Sequence, residues 1–302
     1  MNKKYKIVFV GTGIIGAGLA ANAILNNQNV VLYDCQPVEV IRENLKKVLN
    51  RLACAGVMEK KCVNEILDGT IYSTDLQSAV GGADMIQECV PERLELKQSI
   101  YRSIQEVTGP DAVICSSTSS FFPSKLQQGA QYPGSIMVGH PYNPSYLLPL
   151  IEICGGEGAD EESVQKAFDI YTAMGKIPVL CRKEIKGFIV NRLSWAALAS
   201  ARESVREGVC SVEDMDKAIM YGPGMRMAVT GQLLTISQGV EGGFRNYANK
   251  YGLEESEEYQ ILAEGIDEEL SNRPAYMGNT PEEVDDYRDR MLAEILRFQK
   301  LI

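Results

Sequence analysis

A glycine-rich hexapeptide, GTGIIG at residues 11–16, follows directly on the apolar run YKIVFV at residues 5–10. A small-residue segment typical of a packed helix comes next, and a second apolar run, VVLYD, ends in Asp34. Strand, glycine turn, helix and a second strand that ends in an acid form the pattern of a dinucleotide-binding βαβ unit. Its glycines permit the tight turn, the approach of a pyrophosphate to the backbone, and close packing of helix on strand. This feature constrains the fold most, because parallel neighbouring strands need a crossover connection.

Asp34 indicates which dinucleotide the loop would bind. A carboxylate here accepts hydrogen bonds from the adenosine ribose hydroxyls and repels a 2′-phosphate. Cys35 and Gln36 follow it and provide no cation. The sequence therefore predicts NAD rather than NADP, against the plainer alternative of a structural glycine turn beside a surface aspartate. The predicted cofactor contacts of this loop are Gly11, Gly13, Ile14, Ile15, Gly16 and Asp34.

Eight apolar runs of strand length alternate with helical patterns over the first part of the chain. They lie at residues 5–10, 30–34, 71–74, 85–90, 112–117, 136–140, 148–156 and 178–183. Alternating β and α units predict a Rossmann-type doubly wound α/β sheet. Beyond Lys186-Gly187 the pattern is almost entirely helical. We therefore expect an NAD-binding domain at residues 1–184 and an all-α C-terminal domain at residues 185–302.

Composition excludes several classes of protein. The net charge of −10 argues against a nucleic-acid partner, which requires a basic surface. The apolar runs are shorter than the roughly 18–20 residues of a membrane span. The eight cysteines form no C-x-x-C pair and His140 is the only histidine, so no metal site is expected. With no secretory signal, the cysteines indicate reduced thiols and a cytoplasmic location.

His140 ends one predicted strand, and Glu152 lies on the next. The ligands of open α/β sheets bind outside the carboxyl ends of the strands. A carboxylate bonded to one imidazole nitrogen fixes the tautomer, which suits a base that takes a hydroxyl proton as hydride leaves. A lone histidine with a purely structural hydrogen bond is the alternative.

Five ordered motifs, from about residue 5 to about residue 250, resemble the L-3-hydroxyacyl-CoA dehydrogenase family. They are similar above all to the branch that holds lambda-crystallin (an L-gulonate 3-dehydrogenase) and the L-carnitine dehydrogenases. The motifs are GTGIIG, QECVPERLELK, SSTSS, GHPYNPSYLLPLIEI and KGFIVNRL.

The resemblance implies roles for individual residues. His140 would be the general base in oxidation, Glu152 its orienting partner, and Ser119 and Asn191 the groups that bind the substrate near its reacting oxygen. Glu92, Lys97 and Asn143 would lie near the cofactor. Each has a plainer alternative: a turn residue for Ser119, a helix cap for Asn191, and a solvated helical pair for Glu92 and Lys97. The resemblance also implies a homodimer formed through the helical domain.

The sequence determines the identity of the substrate less well than the fold or the cofactor. Acyl-CoA enzymes of this family commonly end in a glycine-rich aromatic motif, whereas this chain has GPGMR and an acidic segment from Leu253 to Ile302. Arg226 is suited to anchor a carboxylate through two parallel hydrogen bonds, with a surface or interface salt bridge as the alternative. We therefore expect a small free 3-hydroxy acid such as L-gulonate or carnitine. The alternatives are a 3-hydroxyacyl-CoA of fatty-acid metabolism, with Lys46 and Lys47 available to its phosphates, and a non-catalytic, crystallin-like NAD-binding protein.

Overall fold

The structure is a computed structural model that describes residues 3–240, 243–251 and 256–302. Its strands are β1 Lys6–Val10, β2 Asn29–Tyr33, β3 Ile71–Ser73, β4 Met85–Glu88, β5 Val113–Ser116, β6 Ile136–Pro141, β7 Leu150–Cys154 and β8 Ile177–Leu180. Its helices are α1 Ile14–Leu25, α2 Val38–Cys54, α3 Cys62–Gly69, α4 Leu76–Val80, α5 Leu94–Thr108, α6 Pro123–Leu126, α7 Glu161–Ala173, α8 Val190–Arg206, α9 Val212–Tyr221, α10 Pro223–Thr230, α11 Gln232–Gln238, α12 Tyr247–Tyr251, α13 Glu257–Asn272 and α14 Pro281–Phe298.

All eight strands form one sheet in the order β3-β2-β1-β4-β5-β6-β7-β8. The strand order reverses between β1 and β4, which is the switch point where ligands of such sheets bind. Every neighbouring pair is parallel except β6 and β7, which run antiparallel. The predicted doubly wound α/β fold is confirmed, and each predicted strand is present.

The two faces of the sheet form two separate cores, and β1 shows how. Ile7 and Phe9 point into one core, while Val8 and Val10 point into the other, and all four are fully buried. A parallel strand covered by helices on both faces has no polar side, so it is a continuous apolar run. This rigid core fixes the positions of the loops at the strand ends.

The chain divides into two compact units, Met1–Ala196 and Ala197–Ile302. The described residues of the second unit lie in helices and in the turns between them, which confirms the predicted helical C-terminal domain. Its core contains Leu234, Phe244, Ala263, Ile266 and Val284. The predicted boundary at residues 184 and 185 stays a prediction.

Ser211 caps the start of α9, where its hydroxyl accepts a hydrogen bond from the Asp214 N–H. The predicted acidic segment begins with Leu253-Glu254-Glu255, which lies outside the described residues. Within the part of the chain that the structure describes, no helix is both long and apolar enough to span a membrane.

Candidate active site

The glycine loop connects β1 to α1 at the switch point. Gly11 has a φ of +93°, and a side chain there would meet the Cys89 carbonyl group at 2.7 Å. A Cβ on Gly16 would lie 2.0 Å from the Gly11 carbonyl oxygen, so this glycine allows α1 to pack against the turn. A Cβ on Gly13, by contrast, would meet nothing within 4 Å. The loop therefore leaves open space at the one glycine that faces outward.

That open space lies at the N-terminus of α1. The helix has no acidic residue in its first turn and no capping side chain, so its N-terminal N–H groups are available to an anion. Ile14 is exposed and Ile15 half-buried. A pyrophosphate fits this arrangement in both charge and space.

Asp34 forms one wall of an adjoining cavity of about 700 Å³, which is also lined by Gly13, Val90 and Ile100. Its carboxylate accepts hydrogen bonds from the Thr12 N–H at 2.8 Å and the Thr12 hydroxyl at 2.9 Å. Burial raises the pKa of Asp34, but these bonds outweigh it, so the net pKa is lowered. A fixed, ionised carboxylate beside an apolar cavity suits an adenosine with its ribose hydroxyls, so these residues fit NAD.

His140 and Glu152 lie directly opposite each other on the antiparallel strands β6 and β7. The His140 Nδ1 atom is 2.8 Å from Glu152 Oε2, and both side chains are buried. A carboxylate at this distance accepts a hydrogen bond from Nδ1–H, which leaves Nε2 of the neutral ring as the nitrogen that can accept a proton. The structure thus brings together the two residues that the sequence paired.

The second oxygen of Glu152 connects this pair to the start of α8. Glu152 Oε1 accepts hydrogen bonds from the backbone N–H groups of Ile189 at 2.7 Å and Val190 at 2.9 Å. The next residue is Asn191, which is half-buried. One carboxylate therefore holds both the imidazole and the backbone that carries the predicted substrate-binding asparagine.

Lys97 is not the solvated residue that the plainer alternative required, since its side chain is only 1% exposed. Its Nζ atom lies 2.7 Å from Glu88 Oε1 and 3.3 Å from Glu92 Oε2. Glu92 also accepts a hydrogen bond from Thr118, and it keeps about two fifths of its side chain exposed (39%). The cofactor roles of Glu92 and Lys97 stay predictions.

Glu88, which no sequence pattern singled out, is fully buried at the end of β4. Besides Lys97, it accepts hydrogen bonds from the Tyr101 and Ser116 hydroxyls and from the Val90 N–H. Val10 is its register partner on β1, so this network lies beside the glycine loop. An ionisable residue inside the apolar run MIQECV was the available signal.

The other predicted site residues are exposed. Ser119 lies in the loop after β5, and Asn143 lies in the loop after β6. Arg226 is exposed on α10, and its role as a carboxylate anchor stays a prediction. Among the residues that the structure describes, no group of three or more His, Cys, Asp or Glu side chains is placed to hold a metal ion.

Comparison with known families identifies both parts of the chain. Residues 6–185 match the family described as 3-hydroxyacyl-CoA dehydrogenase, NAD binding domain. Residues 187–286 match the one described as 3-hydroxyacyl-CoA dehydrogenase, C-terminal domain. The chain belongs to the 3-hydroxyacyl-CoA dehydrogenase family. It is an NAD-dependent dehydrogenase that acts on the 3-hydroxyl group of a 3-hydroxy acid.

Individual relatives agree with this family. An L-carnitine dehydrogenase of Pseudomonas sp. is 33% identical over 297 residues, which is 95% of this chain and 91% of the relative. An L-carnitine dehydrogenase of Bacillus cereus is 32% identical over 98% of this chain and 93% of its own. A solved structure, described as the NAD+-dependent 5-formyl-3-hydroxy-2-methylpyridine 4-carboxylic acid 5-dehydrogenase, has a TM-score of 0.71 at 25% identity. It covers 98% of this chain and 99% of that one.

Proposed function

We propose that this enzyme oxidises the 3-hydroxyl group of a small free acid, with L-carnitine as the first candidate, and that His140 is the general base. The hydrogen bond of 2.8 Å between His140 Nδ1 and Glu152 Oε2 carries this proposal. With Nδ1 held by the carboxylate, Nε2 takes the proton of the substrate hydroxyl. Glu152 then stabilises the imidazolium, because its charge is opposite and its position is fixed.

NAD, when bound, would be the acceptor of the hydride. The chain's own contribution is to hold the adenosine half at Asp34 and the pyrophosphate at the α1 N-terminus, and to move one proton at His140. Ser119 and Asn191 would orient the hydroxyl that loses this proton, and Asn143 would lie near the cofactor. Arg226 would bind the carboxylate of the acid.

Two observations support the free acid over a thioester. The relatives that match most of the chain are named L-carnitine dehydrogenases. The chain also has a net charge of −10, which is unfavourable for the several phosphate charges of coenzyme A. The family description, in contrast, favours a 3-hydroxyacyl-CoA, and with it a place in fatty-acid metabolism.

The deciding experiment is an NADH absorbance assay with the purified enzyme on L-carnitine, L-gulonate and 3-hydroxybutyryl-CoA, with D-carnitine as the matched control. We expect turnover on L-carnitine with kcat/KM at least tenfold above the other three compounds. A preference for the thioester would contradict the free-acid proposal. Binding of NAD with no turnover on any compound would mean that none of the four is the substrate. A His140→Gln variant should lose roughly 10²–10⁴-fold in kcat, the usual contribution of a general base.

We also propose that the enzyme acts in the cytoplasm as a homodimer formed through α8. None of the 17 residues of this helix is buried within one chain. Leu193, Trp195 and Leu198 are each about half exposed (52%, 47% and 54%). Exposed apolar side chains at several positions along one helix are typical of a protein interface. Light scattering should give twice the chain mass, and Leu198→Glu should give the monomer.

A further inference from the structure

Phe188 lies in the turn before α8 and has no part in the chemistry proposed above. Its φ is +51°, in the left-handed region that a bulky side chain rarely adopts. Its side chain is nevertheless only 1% exposed. Such a conformation persists only where the surrounding structure fixes it. The position therefore raises the question of what the ring does there.

The residues before and after Phe188 make contacts that fix the turn. Gly187 before it has a φ of +81°, and a Cβ there would come within 2.5 Å of two ring atoms of Trp195. After it, the N–H groups of Ile189 and Val190 both donate to Glu152 Oε1. The left-handed turn is thus held by the carboxylate that also binds His140.

The turn places the Phe188 ring against the imidazole. The ring centroids of Phe188 and His140 are 5.6 Å apart, with an angle of 42° between the planes. The outer torsion of a histidine side chain has a broad energy well, so its one hydrogen bond to Glu152 does not by itself fix the ring plane. A buried aromatic ring in contact with the imidazole supplies the second constraint.

We propose that Phe188 is a positioning residue that sets the plane of the His140 imidazole and so directs Nε2 at the substrate hydroxyl. Glu152 connects the two effects, since one of its oxygens holds the imidazole and the other holds the turn that presents the ring. This proposal rests on the proposed role of His140 as the base. It explains why a bulky residue occupies a backbone conformation that favours glycine.

A pair of phenylalanine variants tests this. Phe188→Leu keeps an apolar side chain at the same φ but removes the flat ring. The control is Phe244→Leu, which removes a comparably buried ring from the core of the helical unit, where it stacks on Tyr247 and Tyr259. We expect Phe188→Leu to lower kcat by at least about tenfold, because a small misplacement of a reacting group can cost about 10²-fold. KM for NAD should stay within about twofold, and Phe244→Leu should change kcat by less than about twofold.

NMR provides a readout that needs no substrate. His140 is the only histidine, so one set of imidazole signals reports on this residue alone. We expect its Nδ1–H proton to exchange faster with water in Phe188→Leu and to be unchanged in Phe244→Leu. If Phe188→Leu does not fold, Phe188→Met replaces it, because the flexible thioether fills irregular space.

The two readouts separate failure of this proposal from failure of the proposed function. A folded Phe188→Leu enzyme with a kcat within twofold of wild type overturns the positioning role. Unchanged exchange of the His140 proton overturns it as well, whatever the substrate. If the wild-type enzyme turns over none of the candidate acids, the proposed substrate fails, and the NMR comparison still decides the role of Phe188.

Discussion

Glu88 and Glu152 are both buried in the same sheet, yet they bind different kinds of partner. Glu88 accepts bonds from a lysine ammonium, two hydroxyls and one backbone N–H. Glu152 accepts bonds from an imidazole and two backbone N–H groups. Lys97 lies outside the proposed proton transfer, whereas His140 is its proposed base.

The two sets of partners indicate different roles for the two carboxylates. Glu88 joins β4, β5, α5 and the loop after β4, which lies beside the glycine turn, so its bonds hold the cofactor end of the sheet together. Glu152 holds only groups that belong to the proposed proton transfer and to the start of α8. Loss of Glu88 should therefore appear mainly as lost stability, and loss of Glu152 mainly as lost turnover.

The largest expected effect is that of Glu88→Gln. It leaves the Lys97 ammonium, 1% exposed, without its closest carboxylate. Removing one partner of a buried ion pair costs about 3–5 kcal/mol of unfolding free energy. Glu92 compensates for little of this cost, because it lies farther from the lysine and is partly exposed. Urea unfolding of the cofactor-free enzyme measures this cost. The control is Glu92→Gln, which removes the half-exposed partner of the same lysine and should cost less than about 1 kcal/mol. Equal losses for the two variants would contradict the special position of Glu88.

Glu152→Gln tests the other half of the comparison. An amide can still occupy the space, but it no longer stabilises an imidazolium at His140. We expect kcat to fall by about 10²-fold, near the lower end of what general base catalysis contributes, with KM for NAD little changed. Steady-state assays on whichever candidate acid the enzyme turns over measure both. If this variant instead unfolds as readily as Glu88→Gln, the proposed division between the two carboxylates is wrong.

Most of the fold could be predicted because its strands are continuous apolar runs between turns. All eight were found in this way. The direction of β7 could not be predicted, because an apolar run such as LIEIC carries no sign of its orientation. The antiparallel pairing of β7 with β6 is nevertheless what brings Glu152 directly across from His140.

The site could be predicted only in part for a related reason. The sequence placed His140 at the end of one strand and Glu152 on the next strand, and the family resemblance gave them roles. It did not identify Phe188, because a left-handed φ at a bulky residue leaves no local pattern beyond the preceding Gly187. Within residues 188–198, Phe188 is buried in the core, whereas Leu193 and Leu198 are exposed. Only packing distinguishes these residues.

Lys176 differs from Lys97, because it is a buried lysine bound by carbonyl groups instead of a carboxylate. Its Nζ donates to the backbone oxygens of Ser145 and Leu148, and burial lowers its pKa from 10.5 to about 8. Between these values the unfolded chain binds more protons than the folded one, so the unfolding free energy rises with pH. The rise should be about 1.5 kcal/mol between pH 8 and roughly pH 9.5.

Lys176→Met removes the titrating group, and the difference between the two proteins at each pH isolates it from other groups. Urea unfolding at several pH values from 7 to about 9.5 measures this difference. We expect the unfolding free energy of the wild-type enzyme, relative to that of the variant, to rise with pH through this window. A difference in unfolding free energy that does not change with pH would mean that Lys176 has the same pKa in the folded and unfolded states.

The smallest expected effect lies in the helical unit, at a carboxylate that is exposed rather than buried. Thr280 caps α14 by accepting the Glu283 N–H, and Glu283 accepts the Thr280 N–H in return. Bonds from the Asn279 and Thr280 N–H groups lower the pKa of Glu283, so this support is present above its ordinary pKa of 4.5 and is lost as the pH falls through the lowered value. Thr280→Ala should cost about 1 kcal/mol, the usual value of a helix cap, and Thr280→Ser should cost much less because it keeps the oxygen. Thermal unfolding near pH 7 measures both variants. A cost for Thr280→Ala comparable to that of Glu88→Gln would mean that an exposed helix cap stabilises this protein as much as a buried ion pair does.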